Sequence, residues 1–449
     1  MRYVTEDKGV KERFLKFEDV TTKKRASDLA LLIIEVLESY DCKTKLVAQC
    51  YDGAAVMASG LNGVQALIKK NVPQSLFVHC YAHTLNLVMS QGASKIKDCK
   101  IFFANLGGLS AFFTRSPKRT KLLDDFCARR LPRVSNIRWN FNSRLVCTVH
   151  EKRADLVQLF QHILDHAEDF DRETVHCASG HLSHVKSFEF CFFLFAFVGI
   201  FDFADVLFGI LQSKTLDMQF SLARVAEFSQ SLEGERGRFD DIFEATVGAV
   251  GQPNAARGRP DPRAHYRALH AAVIDSTLTQ INNRFADHKR LLFLGLLDAQ
   301  KFPQYKQSFP EAELKSLEES YGAQFDLSVL RAELRVMYCM TNFQGKSPTD
   351  LLTFLMTTGL AVSMSQLHTL TCLILTIPVS TASVERSFSA LKRIKTYART
   401  TTGQTRLSAL ASVSIEKELL VHLKQHGQLH EDVIERFIRK DRRMDFIYK

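Results

Sequence analysis

The stretch Gln49-Cys-Tyr-Asp-Gly-Ala-Ala-Val-Met-Ala-Ser-Gly60 brings an apolar run to a stop at one carboxylate, Asp52, followed at once by Gly53. A glycine there lets the backbone turn sharply, so the carboxylate projects past the sheet edge, where open α/β sheets bind their ligands. Asp-Gly is also a common turn dipeptide, and turn formation alone accounts for it. Cys80 and His83, separated by two residues, close a second strand-like run from Ser75. A closed zinc site takes four ligands, so this pair fits packing and hydrogen bonding at a strand-to-helix corner better than metal binding. Trp139, the only tryptophan, follows Arg138 at the end of a basic stretch that also holds Arg115, Lys118 and Arg119. An aromatic among arginines can stack on an unpaired base while the guanidinium groups hold phosphates; it can equally close a helix inside a core. Glu385, in Ile377-Pro-Val-Ser-Thr-Ala-Ser-Val-Glu385, falls near a helix start where a carboxylate complements the helix dipole, with Phe388 and Leu391 following near the same face.

The elements that must position these groups follow from periodicity. Arg2 to Val4, a turn around Asp7 to Gly9, and Val10 to Val20 read as an antiparallel pair. Ser27 or Asp28 can cap a helix with Leu29, Leu32, Ile33, Val36 and Leu37 at helical spacing. Lys45 to Cys50 reads as a strand, Gly63 to Lys70 as a helix, and Ser75 to Cys80 as a second strand; this alternation argues an α/β unit with a mixed or parallel sheet. Helical periodicity begins at Thr84 and resumes from Ile101 to Phe113. A basic connector, Arg115 to Arg138, leads into almost continuous helical pattern from Asn142 to Leu375, broken by an exposed Gly/Pro-rich loop at 248–262. After Pro378, Ser380 or Thr381 can cap a helix running to Ala398, and a further helix covers Leu407 to Leu423.

The chain has 449 residues, 46% of them apolar and 24% charged, which suits two or more globular units with real cores rather than disorder. A formal net charge of +10 favours polyanionic partners. Ten cysteines without regular spacing point to reduced thiols, in nucleus or cytoplasm. The apolar segment Phe190 to Phe201 is too short for a membrane span, which needs about 20 residues, so a buried helix and no membrane partner are expected.

In this order, "QCYDGAAVMASGLNGVQALIKK", "FVHCYAHTLNLV", "RWN", "LQSKTLD" and "IPVSTASVERSFSALKRIKTYARTTTGQTRLSALASVSI" resemble the hAT superfamily of DNA transposases. The likeness is greatest to transposon-derived zinc-finger MYM-type-like proteins with a DUF4371-like region and a hAT C-terminal dimerisation region. The resemblance implies an α/β plus all-α fold: an RNase H-like mixed sheet in 1–140, lacking its first strand, a helical insertion in 141–375, and completion of the fold by a C-terminal dimerisation region in 376–449. It also implies a catalytic Asp, Asp, Glu cluster around two divalent metal ions, Mg2+ or Mn2+. By position Asp52 matches the second aspartate and Glu385 the glutamate. Cys80 and His83 match a Cys-x-x-His motif, and Trp139, with Arg138 before it, matches a tryptophan that holds flipped-out bases.

The first aspartate has no match here, since the chain starts inside the expected second strand. A vestigial pair without its third carboxylate implies a protein that is N-terminally truncated relative to the family and catalytically inactive, with no cofactor. An active metal-dependent transposase or nuclease, completed by an upstream strand, and a domesticated nuclear regulator are the alternatives. Self-association is expected through Phe388, Leu391, Leu410 and Val413, with burial inside one chain as the competing use of these residues. DNA is a further candidate partner through Arg115, Lys118, Arg119, Arg138 and Trp139, and the nucleus is the expected location.

Overall fold

The structure is a computed structural model; the residues described are all except 6–8, 134–139, 214–215, 254–260, 286, 397–398, 400, 426 and 440–449. The described chain is mostly helical, with four short strands. Strand β1 (Arg2–Val4) pairs antiparallel with β2 (Val10–Glu12), Val4 opposite Val10. The expected second strand ran to Val20, but the ladder ends at Glu12. Past it Met1 and Arg13 still exchange two hydrogen bonds, the Met1 ammonium donating to the Arg13 carbonyl at 2.7 Å and the Arg13 N–H to the Met1 carbonyl at 2.8 Å. The segment that follows docks on C-terminal helices instead: the Phe14 N–H donates to the Glu416 carboxylate at 2.6 Å, and the Phe17 ring lies 5.7 Å from that of Phe388.

Strands β3 (Ala48–Tyr51) and β4 (Leu76–His79) pair in parallel, with Cys50 opposite Val78. A parallel pair needs a crossover, supplied by the helix Val64–Asn71, whose Val64 and Ile68 bury against Ala30 of the helix Ala26–Ser39. That first helix starts after Arg25 with no side-chain cap, so neither Ser27 nor Asp28 serves as one. Gly63 is required for space: a Cβ there would lie 2.6 Å from the Ser59 backbone.

The helical part packs around Phe188–Leu211, where Phe192, Phe193, Phe197 and Phe201 are fully buried and Phe102 stacks on Phe197 at 5.7 Å. This helix is long and apolar enough to cross a membrane, yet 67% of its most apolar stretch is buried inside the protein and Asp202 and Asp205 are exposed. The apolar core runs without a break from Leu76 of β4 to Val379. The presumed connector after Arg115 in fact contains a helix, Pro117–Cys127. Ser116 caps it, accepting from the Arg119 N–H at 3.4 Å, and proline at its first position has no N–H to waste. The helix Phe239–Val250 runs past Gly248, and residues 254–260 of the expected loop at 248–262 lie outside the described residues.

Near the C-terminus, the helix Ala382–Ile394 is followed by Gln404–Ile415 and Lys417–Gln425. The last two were expected as one helix. The chain breaks at Glu416, whose carboxylate is drawn to Arg13 at 3.1 Å and to the Phe14 N–H.

Candidate functional site

The C-terminal ends of β3 and β4 carry most of the residues expected to do chemistry. Parallel pairing continues one step past the strands, the Cys80 N–H donating to the Tyr51 carbonyl at 2.9 Å, so Asp52 and Cys80 leave the sheet side by side. Asp52 is exposed, and its Oδ1 accepts from the Ala54 N–H at 3.2 Å, which closes the turn. Gly53 lies against His83: a Cβ at that glycine would be 3.6 Å from the imidazole.

Cys80 is the centre of the arrangement. It is buried and caps the helix Tyr81–Ser94, its sulfur accepting from the His83 N–H at 3.5 Å. The same sulfur accepts from the Thr381 N–H at 3.3 Å and the Thr381 hydroxyl at 3.2 Å, across 301 residues of sequence. The Tyr81 N–H adds a bond to the Val379 carbonyl at 3.0 Å. Thr381 precedes the helix Ala382–Ile394 but makes no side-chain cap, because its hydroxyl is committed to the thiol. Donors converging on one sulfur favour its anion, and the neighbouring Cys50 thiol adds most to this; the Cys80 thiol is pulled down to about 6 while that of Cys50 is pushed well up. Glu385 stands one turn beyond Thr381, its N–H bonded to the Thr381 carbonyl at 3.1 Å, and is half-buried.

The elements bearing Asp52, Cys80, His83 and Glu385 therefore meet at one sheet end. Among the described residues, however, no three His, Cys, Asp or Glu side chains are grouped to hold a metal ion. Among the described residues the donors do not make the carboxylate cluster that two divalent ions need. Cys50 joins the site without a sequence-based expectation, and Thr381, expected as a helix cap, serves the Cys80 thiol instead. Alternation along β3 puts Cys50 on the face opposite Tyr51, a signal that was available; the Thr381 contact is long-range and leaves none.

Trp139 and Arg138 lie outside the described residues. Arg115 is exposed at the end of the helix Lys97–Thr114. Lys118 lies over the Phe170 ring at 4.5 Å and donates to the Asp169 carbonyl, and Arg119 lies over the Phe112 ring at 4.4 Å. Arg129 pairs with Glu151 and Arg130 with Asp124, so much of this basic stretch is occupied within the molecule.

Phe388, Leu410 and Val413 are 52%, 38% and 58% exposed, a large apolar load for a protein surface, while Leu391 is half-buried. They lie on the helices Ala382–Ile394 and Gln404–Ile415, which pack against one another.

Comparison with known families places the two ends of the chain. Residues 346–419 match the hAT family C-terminal dimerisation region, and residues 1–63 match the family described as ZMYM1/FAM200, RNase-like domain. Together these two matches, at the two ends of the chain, support a hAT-derived protein. The first match contains Thr381, Glu385 and the exposed apolar residues, and the second contains Asp52; the two matched segments touch where Glu416 receives Arg13 and Phe14.

Proposed function

We propose that this chain is a transposase-derived protein that does not cut DNA and works through self-association in the nucleus. One observation carries the reading: helices inside the matched dimerisation region leave Leu410 and Val413 partly exposed, and Phe388 only partly covered by Phe17. Apposing a second copy would remove that area at about 25 cal/mol per Å2. Light scattering on the purified chain at micromolar concentration tests it. The expected mass is twice the 50.9 kDa of the monomer, and a strict monomer removes the proposal.

In this reading an RNase H-like unit is formed from residues 1–140 and completed by 376–449, with 141–375 inserted between them. The RNase-like match over 1–63, the parallel β3–β4 pair and the return of Thr381 to Cys80 support that arrangement. Lack of cleavage is part of the same proposal, in which the acidic set has two assigned members, Asp52 and Glu385. Mg2+ or Mn2+ would have a role only if a further carboxylate completed the set. Supercoiled plasmid incubated with either ion is expected to be nicked no faster by the wild type than by Asp52→Ala with Glu385→Ala. Divalent-dependent nicking abolished by those substitutions would favour an active transposase or nuclease instead.

Nucleic acid is the second partner in the proposal, supported by the +10 net charge and the exposed Arg115 and Arg133 flanking the Pro117–Cys127 helix.

A further inference from the structure

Between Phe17, whose carbonyl accepts from the Ser408 hydroxyl at 3.3 Å, and the helix Ala26–Ser39, the chain runs as a strap over the surface. Every residue from Glu18 to Arg25 is exposed. One turn bends the strap, the Lys23 N–H donating to the Val20 carbonyl at 3.1 Å, and Arg25 then leaves in an extended conformation, φ −76° and ψ 150°. The main chain here is open: the N–H groups of Thr22, Lys24 and Arg25, and the carbonyls from Thr21 to Lys24, bond to no described residue. Lys23, Lys24 and Arg25 stand in succession on this stretch, and no described carboxylate pairs with any of them. Exposed arginines elsewhere are paired, as Arg129 is with Glu151 and Arg263 with Asp240. From Val20 to Ser27 there is no acidic residue, and Lys392, Arg393 and Lys395, exposed at the end of the helix Ala382–Ile394, stand close by, Lys395 near Asp19. The helix after the strap starts with no side-chain cap, so its first turn opens at small cost and carries the extended run through Ser27.

We infer that Val20 to Ser27 is a recognition segment for a protein with an acidic groove that takes an extended basic peptide, the chemistry of the adaptors that carry cargo into the nucleus. The inference rests on the nuclear reading above and names the segment that would serve it. Charge alone would suit the phosphates of a nucleic acid as well, and the open backbone decides between the two. Phosphates are satisfied by the lysine and arginine side chains and leave the peptide groups between them unused. A groove that sets carboxylates against Lys23, Lys24 and Arg25, and amide side chains against the N–H and carbonyl groups of Thr21 to Arg25, uses both features of the strap.

Two measurements on the full chain test this: its distribution in cells when fused to a fluorescent protein, and its affinity for a purified nuclear import adaptor by fluorescence anisotropy. Lys23→Ala with Lys24→Ala and Arg25→Ala is expected to move the protein from nucleus to cytoplasm and to raise the adaptor dissociation constant about tenfold or more. Lys23→Arg with Lys24→Arg keeps both properties. All three side chains are exposed, and circular dichroism checks that helicity is kept. A triple variant that stays nuclear and binds the adaptor as the wild type does overturns the inference and leaves the nuclear reading in place. The inference falls equally if the nuclear wild type does not bind the adaptor, or if the variant leaves the nucleus with its adaptor affinity unchanged, which would assign the strap to nucleic acid or another protein. A wild type held in the cytoplasm removes the nuclear reading itself, and this inference with it.

Discussion

Cys80 shows how one side chain can tie distant parts of the chain. A buried thiol is ordinarily a small apolar filler with a raised pKa. Here the sulfur accepts from Thr381 and from the N-terminus of its own helix, and Cys50 beside it pushes the charge onto Cys80. The anion is thus favoured in the folded state relative to the unfolded one. A group whose pKa is depressed by folding stabilises fully above its unfolded value and loses that contribution as pH falls through its folded value, here about 6. Unfolding free energy should therefore rise between pH 6 and pH 9 in wild type by of order 1 kcal/mol per pH unit, and less steeply in Cys80→Ser. Above pH 9 the raised Cys50 thiol works in the opposite sense and should flatten or reverse the gain. Urea titrations under reducing conditions measure this; equal slopes in the two proteins would show that Cys80 is not held as an anion.

Two elements are held by contacts that no local pattern announces. Arg2 sits in β1 with its side chain largely buried, pairing with Glu12 at 3.2 Å and donating to the Leu375 carbonyl at 2.8 Å and the Leu216 carbonyl at 2.7 Å. Arg2→Ala would strand the Glu12 carboxylate and these carbonyls, and a loss of about 3 kcal/mol in urea unfolding is expected. Gly63→Ala should also destabilise, by about 1 kcal/mol or more, because its new methyl meets the Ser59 backbone rather than a yielding side chain. The short strands at Ala48–Tyr51 and Leu76–His79 were legible because apolar runs stop there at turn residues. The Pro117–Cys127 helix was hidden by its lysines and arginines, although Ser116, Pro117 and the spacing of Leu122, Leu123, Phe126 and Cys127 spell a capped amphipathic helix. The break at Glu416 and the use of Thr381 could not be read, since each depends on a residue hundreds of positions away. Of the candidate site, strand ends fix the position of Asp52 and the Cys80–His83 pair, whereas the return of Thr381, at the start of the Glu385 helix, to Cys80 is set by long-range packing.

At the scale of the whole molecule, the two ends of the sequence fold together. The N-terminal hairpin is clamped to the C-terminal helices through Arg13, Phe14 and Phe17, so the matched RNase-like segment also supports the helices of the dimerisation region. The basic charge gives a separate expectation. If DNA binds through phosphates, affinity should fall by more than about tenfold between roughly 50 and 200 mM salt, and Arg115→Glu with Arg133→Glu should make that dependence shallower. Filter binding or fluorescence anisotropy would measure both, and salt-independent affinity would rule out a phosphate-driven mode. The most direct measurement of the central claim is sedimentation velocity of the full chain beside Phe388→Glu and Val413→Glu. The account predicts a dimer for the wild type that shifts to monomer in both variants at the same micromolar concentration. A wild-type monomer, or a dimer indifferent to both substitutions, would contradict it.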